Sequence, residues 1–523
     1  MAEGVSIAEY RKQLLKERLL RIKETILLVL RHRSAIIGLA IVLFYSILGA
    51  LAPVLTPYDP VMGMDVADAF AVPEWVAAPD TPRNVEGILD NYKIVDKSVV
   101  GDVKVLMERL SDGSIAVKVS GVGEANITIV SEDTLYYPYR PARSMLVKYG
   151  FKTTKLGKEM GWYNIAFAIE NIDLRERGAV LVYKRGDREL EIPKGLYVVY
   201  DEVGFRMYSP FPLVREEKNV STSIRLPYYV INAKQPVPMP DDVNAVSEIL
   251  LEKDTRLRAV IYITYSCSST SAMMRCSDGG IEFLIQPLYV KIYGLAHGIL
   301  GTNYLGVDVW SQFVYGARIA VVLGLSVALA TVLLGIVVGV LAGYRVGTLF
   351  DYVATFIIDV IYFTPLLPLI MAVGIVFGRR LDLIFSVFIL LSWPGTARLA
   401  RSWSMALRSD LYIEAAKAVG ASDMRIVIKH IVPQLVPLLV YSLVLRVPGV
   451  IMTEAAISLI GFGDPHTPSW GKMINEAFYG GAFLQNAWWW IMPPIVGIVT
   501  IALGFALLGI ALDEIVNPRL RRR

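Results

Sequence analysis

Histidine, cysteine, glutamine and charge are all scarce in this chain of 523 residues. The four histidines (His32, His297, His430 and His466) are scattered and make no metal-ligand spacing, so no metal site is expected. Only 19% of the residues are charged while 54% are hydrophobic, and the mean hydropathy is +0.49. That balance excludes a single soluble domain as the default and points to a polytopic membrane protein. A phosphate-cradling Gly-x4-Gly-Lys-Ser/Thr loop is missing as well. Gly157-Lys158 is followed by Glu159, and Gly471-Lys472 by Met473. The chain is therefore expected to hold no cofactor, and no constellation of catalytic residues is legible in it.

The two cysteines, Cys267 and Cys276, lie nine residues apart. Either they close a loop as a disulfide outside the cytoplasm, or they stay as two free thiols. Charge is unevenly spread. Residues 1–60 carry 8 basic and 5 acidic side chains, residues 61–297 carry 28 and 31, and residues 298–523 carry 16 and 12. The net +4 thus comes from the segments flanking apolar runs, and nothing suggests nucleic acid.

Residues 1–33 read as a cytoplasmic, interfacial amphipathic helix, with Leu14, Leu15, Leu19, Ile22, Ile26 and Leu30 at helical spacing on a basic background. The charged stretch is too long for a cleavable signal peptide, and the basic cluster puts the N-terminus inside. Residues 34–55 are long enough for a first span, closed by Pro53 and the turn Pro57-Tyr58-Asp59-Pro60. Residues 61–296 change character. Short alternating runs such as Ile115–Val119 and Val260–Ile263, separated by Ser111-Asp112-Gly113 and Arg185-Gly186-Asp187, predict a mostly-β extracytoplasmic domain, a sandwich or barrel. Sequons at Asn126 and Asn219 mark candidate glycosylation sites there. A pre-membrane segment, 297–315, leads to a five-helix core, 316–511, with spans expected at 316–344, 350–377, 382–397, 434–460 and 488–511. A basic tail, 512–523, ends the chain on the inner side. Six spans leave both termini cytoplasmic.

Polar groups at membrane depth are the next candidates. Asp351, Thr355 and Asp359 share one stripe of the third span, and Arg446 and Glu454 lie two turns apart in the fifth. A carboxylate near a helix centre costs about 2.5–3.5 kcal/mol on insertion scales, so these groups should face the bundle or water. Asp359, Thr355, Glu454 and Arg446 line a translocation path on one reading and make interhelical hydrogen bonds on the other. Gly335, Gly339 and Gly343, at four-residue intervals, predict close helix packing.

Between the fourth and fifth spans, residues 410–433 read as two short helices. Asp410 is a candidate N-cap, Gly420 a left-handed stop, and Ser422 or Asp423 the next cap, with Pro433 opening the following span. Such a segment is either an ordinary polar loop or a docking knob. The run Glu414-Ala415-Ala416, Gly420 and His430-Ile431-Val432-Pro433 resembles the EAA loop of ATP-binding-cassette (ABC) importer permeases. APxxxPYDP near the start, Trp393-Pro394-Gly395-Thr396-Ala397-Arg398, and Pro468-Ser469-Trp470-Gly471-Lys472-Met473 are similar to the dipeptide/oligopeptide/nickel type, second permease subunit. The departures are Val432 for a usual Leu, and Asn303 and Val307 for an Asp and an Arg. The resemblance covers about residues 12–60 and 297–523 and leaves the β insertion unexplained.

That resemblance implies a type I ABC-importer permease fold. It also implies a related permease subunit as heterodimer partner, two ATPase subunits that supply ATP and magnesium, and an external solute-binding protein. Glu414, Ala415, Ala416, Gly420, Ala421 and Asp423 would touch an ATPase. Peptides come first as substrate, with nickel and oligosaccharides open, in the cell membrane of a prokaryote. The alternatives are a secondary transporter and a membrane-anchored receptor with a β ectodomain.

Overall fold

A computed structural model describes residues 32–516, apart from 65, 140–142, 178–179, 186–187, 194–195, 202–216, 227–252 and 269–275. The expected interfacial helix (residues 1–31 of it) and the last residues of the basic tail lie outside the described residues. The chain forms two compact units, residues 65–306 and residues 1–64 together with 307–523.

The first unit is β-rich. Among the described residues its strands are β1 (Val85–Leu89), β2 (Tyr92–Arg109), β3 (Ile115–Ser131), β4 (Leu135–Tyr137), β5 (Met145–Lys155), β6 (Trp162–Asn171), β7 (Val180–Arg185), β8 (Arg188–Pro193), β9 (Leu196–Asp201), β10 (Asn219–Leu226), β11 (Thr255–Cys267), β12 (Gly280–Ile285) and β13 (Leu288–Ile292). All but the β7–β8 hairpin join one antiparallel sheet, whose main path is β1-β13-β5-β12-β3-β11-β6-β9. Alternation makes the core. Val117 and Val119 of β3, Tyr163, Ile165 and Phe167 of β6, and Ile261 and Ile263 of β11 point to one side and are fully buried together. β3 pairs with β12 over its first six residues and with β11 from Gly123 onward, while β2 runs along its other edge throughout. The switch falls at Gly121 and Gly123, whose positive φ (122° and 144°) bends the ribbon where a side chain would strike the opposite strand.

The second unit is helical: α1 (Arg33–Ala50), α2 (Val309–Tyr344), α3 (Leu349–Phe363), α4 (Leu366–Phe377), α5 (Leu381–Ser392), α6 (Pro394–Arg408), α7 (Leu411–Ala418), α8 (Asp423–Ile426), α9 (Val432–Leu459), α10 (Trp470–Tyr479) and α11 (Trp488–Val516). Among the described residues, five continuous segments are long and apolar enough to cross a membrane, and α3 with α4 makes a sixth if that bent pair is one span.

Three expectations are corrected here. The segment 350–377 is no single straight helix: Pro365 lacks an N–H and drives Thr364 into extended backbone, so α3 and α4 meet at 79°. The helix after Ser392 does not end at 397 but runs to Arg408, because Pro394 sits in its first turn, where no donor is needed. Pro433 does not open a new span either. The helix begins at Asp423 and passes through a π-turn at Val427–Ile431, where the Val432 N–H reaches back to the Val427 carbonyl, and Pro433 lies in the first turn of α9 that follows.

Candidate functional site

The loop around α7 is built from short-range chemistry. Asp410 stands at the N-cap position in extended backbone, but its side chain caps nothing; its carbonyl accepts from Ile413 (2.9 Å) and Glu414 (3.3 Å). At the other end Gly420 has φ +87°. Its N–H bonds to the Lys417 carbonyl (2.9 Å), and the Ala421 N–H reaches back to the Ala416 carbonyl (3.0 Å). That pair is a Schellman stop, which needs a left-handed residue at the Gly420 position. Ser422 makes no side-chain cap; Asp423 instead accepts a hydrogen bond from Tyr344, at the end of α2 (2.7 Å). Lys417 lies over the same Tyr344 ring, 5.1 Å from its centroid.

Burial separates two faces. Ile413 is fully buried among Val340, Tyr344, Ile426 and Ile431, and Ala416 and Ala421 pack partly against the same cluster. Glu414, Ala415 and Gly420 face outward. So do Leu411 (82% exposed) and Val419 (90%), which fall one helical turn either side of Ala415. Six residues were expected at this surface; Glu414, Ala415, Gly420 and Asp423 are exposed, Asp423 while also accepting from Tyr344, whereas Ala416 and Ala421 pack against the loop's own bundle. Leu411 and Val419 went unremarked in the sequence, although their four-residue spacing about Ala415 was there to be read.

The loop rests on a braced frame. Gly335, Gly339 and Gly343 of α2 lie against the backbone at Trp393, Ala397 and Arg401, and a Cβ at any of the three would collide with it. The equal four-residue steps on both sides are ridge-into-groove packing at backbone distance. Ser404 donates to the Val340 carbonyl (3.0 Å) on the same seam. Arg401 then grips Asp351 of α3 with two bonds (2.7 and 3.0 Å), and Thr355 donates to that carboxylate (3.3 Å).

The remaining polar residues separate. Asp359 is half exposed and paired with Arg398 (2.6 Å), whose guanidinium lies 4.0 Å from the Tyr362 ring centroid. Arg446 donates to the Ser392 carbonyl (2.6 Å) at the α5–α6 junction. Glu454 is buried, accepting from Ser458 at 2.6 Å. Arg446 and Tyr362 thus border Gly395, with the Arg398–Asp359 pair on the Tyr362 ring, whereas Thr355 and Glu454 serve contacts within the bundle. Tyr344, Arg398 and Arg401 were missed as partners because 79, 39 and 50 residues separate them from the groups they hold.

In the β unit a disulfide joins Cys267 and Cys276, buried against Tyr265 and Gly279. Asn126 and Asn219 are both exposed but sit in paired strands, β3 and β10, rather than in loops.

Helices long and apolar enough to cross a membrane, a short exposed helix on a braced loop, and an N-terminal apolar helix separated from the rest in sequence by the β insertion are the features that the resemblance to an ABC-importer permease implies. Residues 335–522 match the family described as binding-protein-dependent transport system inner membrane component. Residues 23–73 match the N-terminal TM domain of oligopeptide transport permease C. A Brucella suis biovar 1 protein named as a peptide transport system permease is 31% identical over 256 residues, 49% of this chain and 79% of the relative. The dipeptide transport system permease protein DppC of Bacillus subtilis (strain 168) is 32% identical over 223 residues, 42% of this chain and 69% of the relative. Among solved structures, an inward-facing form of the MetNI methionine ABC transporter aligns with 40% of this chain and 95% of its own, at 21% identity and a TM-score of 0.32. This chain belongs to the binding-protein-dependent transport system inner-membrane permease family, and its N-terminal match is that of the oligopeptide permease C type.

Proposed function

We propose that this chain is the second permease of a peptide importer, paired with a related permease, two ATPase subunits and an external solute-binding protein. ATP and magnesium are bound by the ATPases, and this chain performs no chemistry. Six spans, the bent α3–α4 pair counted as one, leave both termini cytoplasmic and residues 61–296 outside. The inserted β domain acts as a collar that receives the solute-binding protein. Peptide as substrate rests on the names of the relatives, with nickel and oligosaccharide as the other cargoes.

The observation that carries the coupling role is the outward stripe Leu411, Ala415 and Val419 on a loop whose inner face is fixed by Ile413 and the Tyr344–Asp423 bond. Large apolar side chains left in water on a rigid base favour association with an apolar groove. Closure of the ATPases then moves α2 and α6 as a body, because loop and helices are joined at several points. Co-purification tests this directly. ATPase subunits should be retained by the wild-type chain and lost with Leu411→Asp/Val419→Asp, while the permease pair stays assembled. Retention by that double variant would remove the loop as the docking site.

A further inference from the structure

Resting on the peptide-permease reading, we infer that Arg446 is a carboxylate-binding residue of the translocation path and takes the free C-terminal carboxylate of a peptide.

Helices α6 and α9 carry four arginines: two are neutralised inside the chain, Arg408 donates to the Val346 carbonyl from the last turn of α6, and Arg446 lies mid-helix in α9. Arg398 pairs with Asp359 at 2.6 Å and Arg401 with Asp351 at 2.7 Å. Arg446 has no carboxylate within 4.0 Å among the described residues, and its hydrogen bond runs to a backbone carbonyl, that of Ser392. It lies thirteen residues before Leu459, the end of α9, so about 20 Å along the axis from that end. A cation at such depth is costly unless an anion or water meets it, and residues of this kind mark substrate pathways. A guanidinium has five N–H donors, and one Nη1 proton is committed to Ser392. The rest remain for a ligand, in the planar fork that matches a carboxylate.

Space is left for it. A Cβ on Gly395 would come to 3.0 Å from Arg446 Nη2, so the glycine keeps that nitrogen clear. Gly449, one turn along α9, has nothing within 4 Å of the corresponding position. Tyr362 borders the Gly395 position at 3.9 Å and carries the Arg398–Asp359 pair on its ring. A peptide reaching this point would meet an unpaired cation beside an aromatic face and a half-exposed acid–base pair. A zwitterion suits that arrangement.

The test uses the full importer reconstituted in proteoliposomes, with tetra-alanine and its C-terminal amide as probes. Uptake by each Arg446 variant is expressed relative to wild type for the same peptide, so any preference of the solute-binding protein cancels. Arg446→Gln should lower tetra-alanine uptake on the order of tenfold, as loss of a charge-assisted hydrogen bond implies, and leave the amide near its wild-type rate. Arg446→Lys should restore part of the difference. An equal fall for both peptides would make Arg446 a staple of the α5–α6 junction, or the partner of a carboxylate on the other permease, and would overturn the inference. So would no change for either. If the wild-type importer takes up neither probe, the peptide reading itself fails and the inference with it; uptake of both, indifferent to Arg446, sinks the inference alone.

Discussion

Tyr344, the last residue of the 36-residue helix α2, donates its hydroxyl proton to Asp423 at 2.7 Å, joining the loop at residues 410–433 to a helix that begins at Val309. Because the Tyr344 ring also supports Lys417, one side chain meets both sides of the Gly420 turn. Tyr344→Phe keeps the ring and removes the bond. It should leave ATPase subunits bound and ATP hydrolysis running, while the number of peptides imported per ATP falls several-fold. An unchanged ratio would reduce the bond to ordinary surface chemistry.

Among the described residues, Asp351–Arg401 has the most buried carboxylate of the helical unit's ion pairs. Asp351 has a 5% exposed side chain and accepts from Arg401, Thr355 and the Gly347 N–H. Arg401→Leu leaves a buried carboxylate without its partner, a change that typically costs about 3 kcal/mol. The solubilised permease pair should unfold at a clearly lower temperature. Removing both partners, as Asp351→Leu/Arg401→Leu, should recover much of the loss, because no stranded charge remains.

Backbone contact along α2 makes a sharper steric prediction. Gly339→Leu would drive a side chain into the Ala397 carbonyl and force α6 away, so assembled complex should fall steeply. The same change at Gly449, which has open space, should leave assembly intact and interfere with passage. Complex yield after gel filtration separates the two.

Acid should loosen the β domain at a definite place. Two Arg256 side-chain bonds (3.2 and 2.7 Å) hold Asp173 below its ordinary value of 3.8 against the opposing effect of burial. A carboxyl held low contributes stability above its unfolded pKa and loses it as pH falls through the folded value. Asp173→Asn should therefore raise hydrogen exchange in β11 at pH 7. The gap from wild type should begin to narrow as the pH falls below about 3.8 and close only below the lower folded value.

Local features of the sequence were legible where the physics is local. The glycine interval 335–339–343, the alternation that builds the β domain and the left-handed stop at Gly420 each depend on residues within one or two turns. The long-range bonds were not. Asp423 reads as an N-cap by its position, yet a tyrosine 79 residues away takes its carboxylate. Asp351 and Asp359 share a stripe, but the arginines that meet them are fixed by how α6 packs on α3. Thr364-Pro365 did carry a break signal, which the apolar run on either side outweighed.

The most direct measurement is solute uptake by proteoliposomes containing the permease pair, with and without the ATPase subunits, under an imposed proton or sodium gradient and then with ATP. Uptake should appear only when the ATPases, ATP and the solute-binding protein are all present, and Leu411→Asp/Val419→Asp should abolish it. Gradient-driven uptake by the permease pair alone would contradict the account.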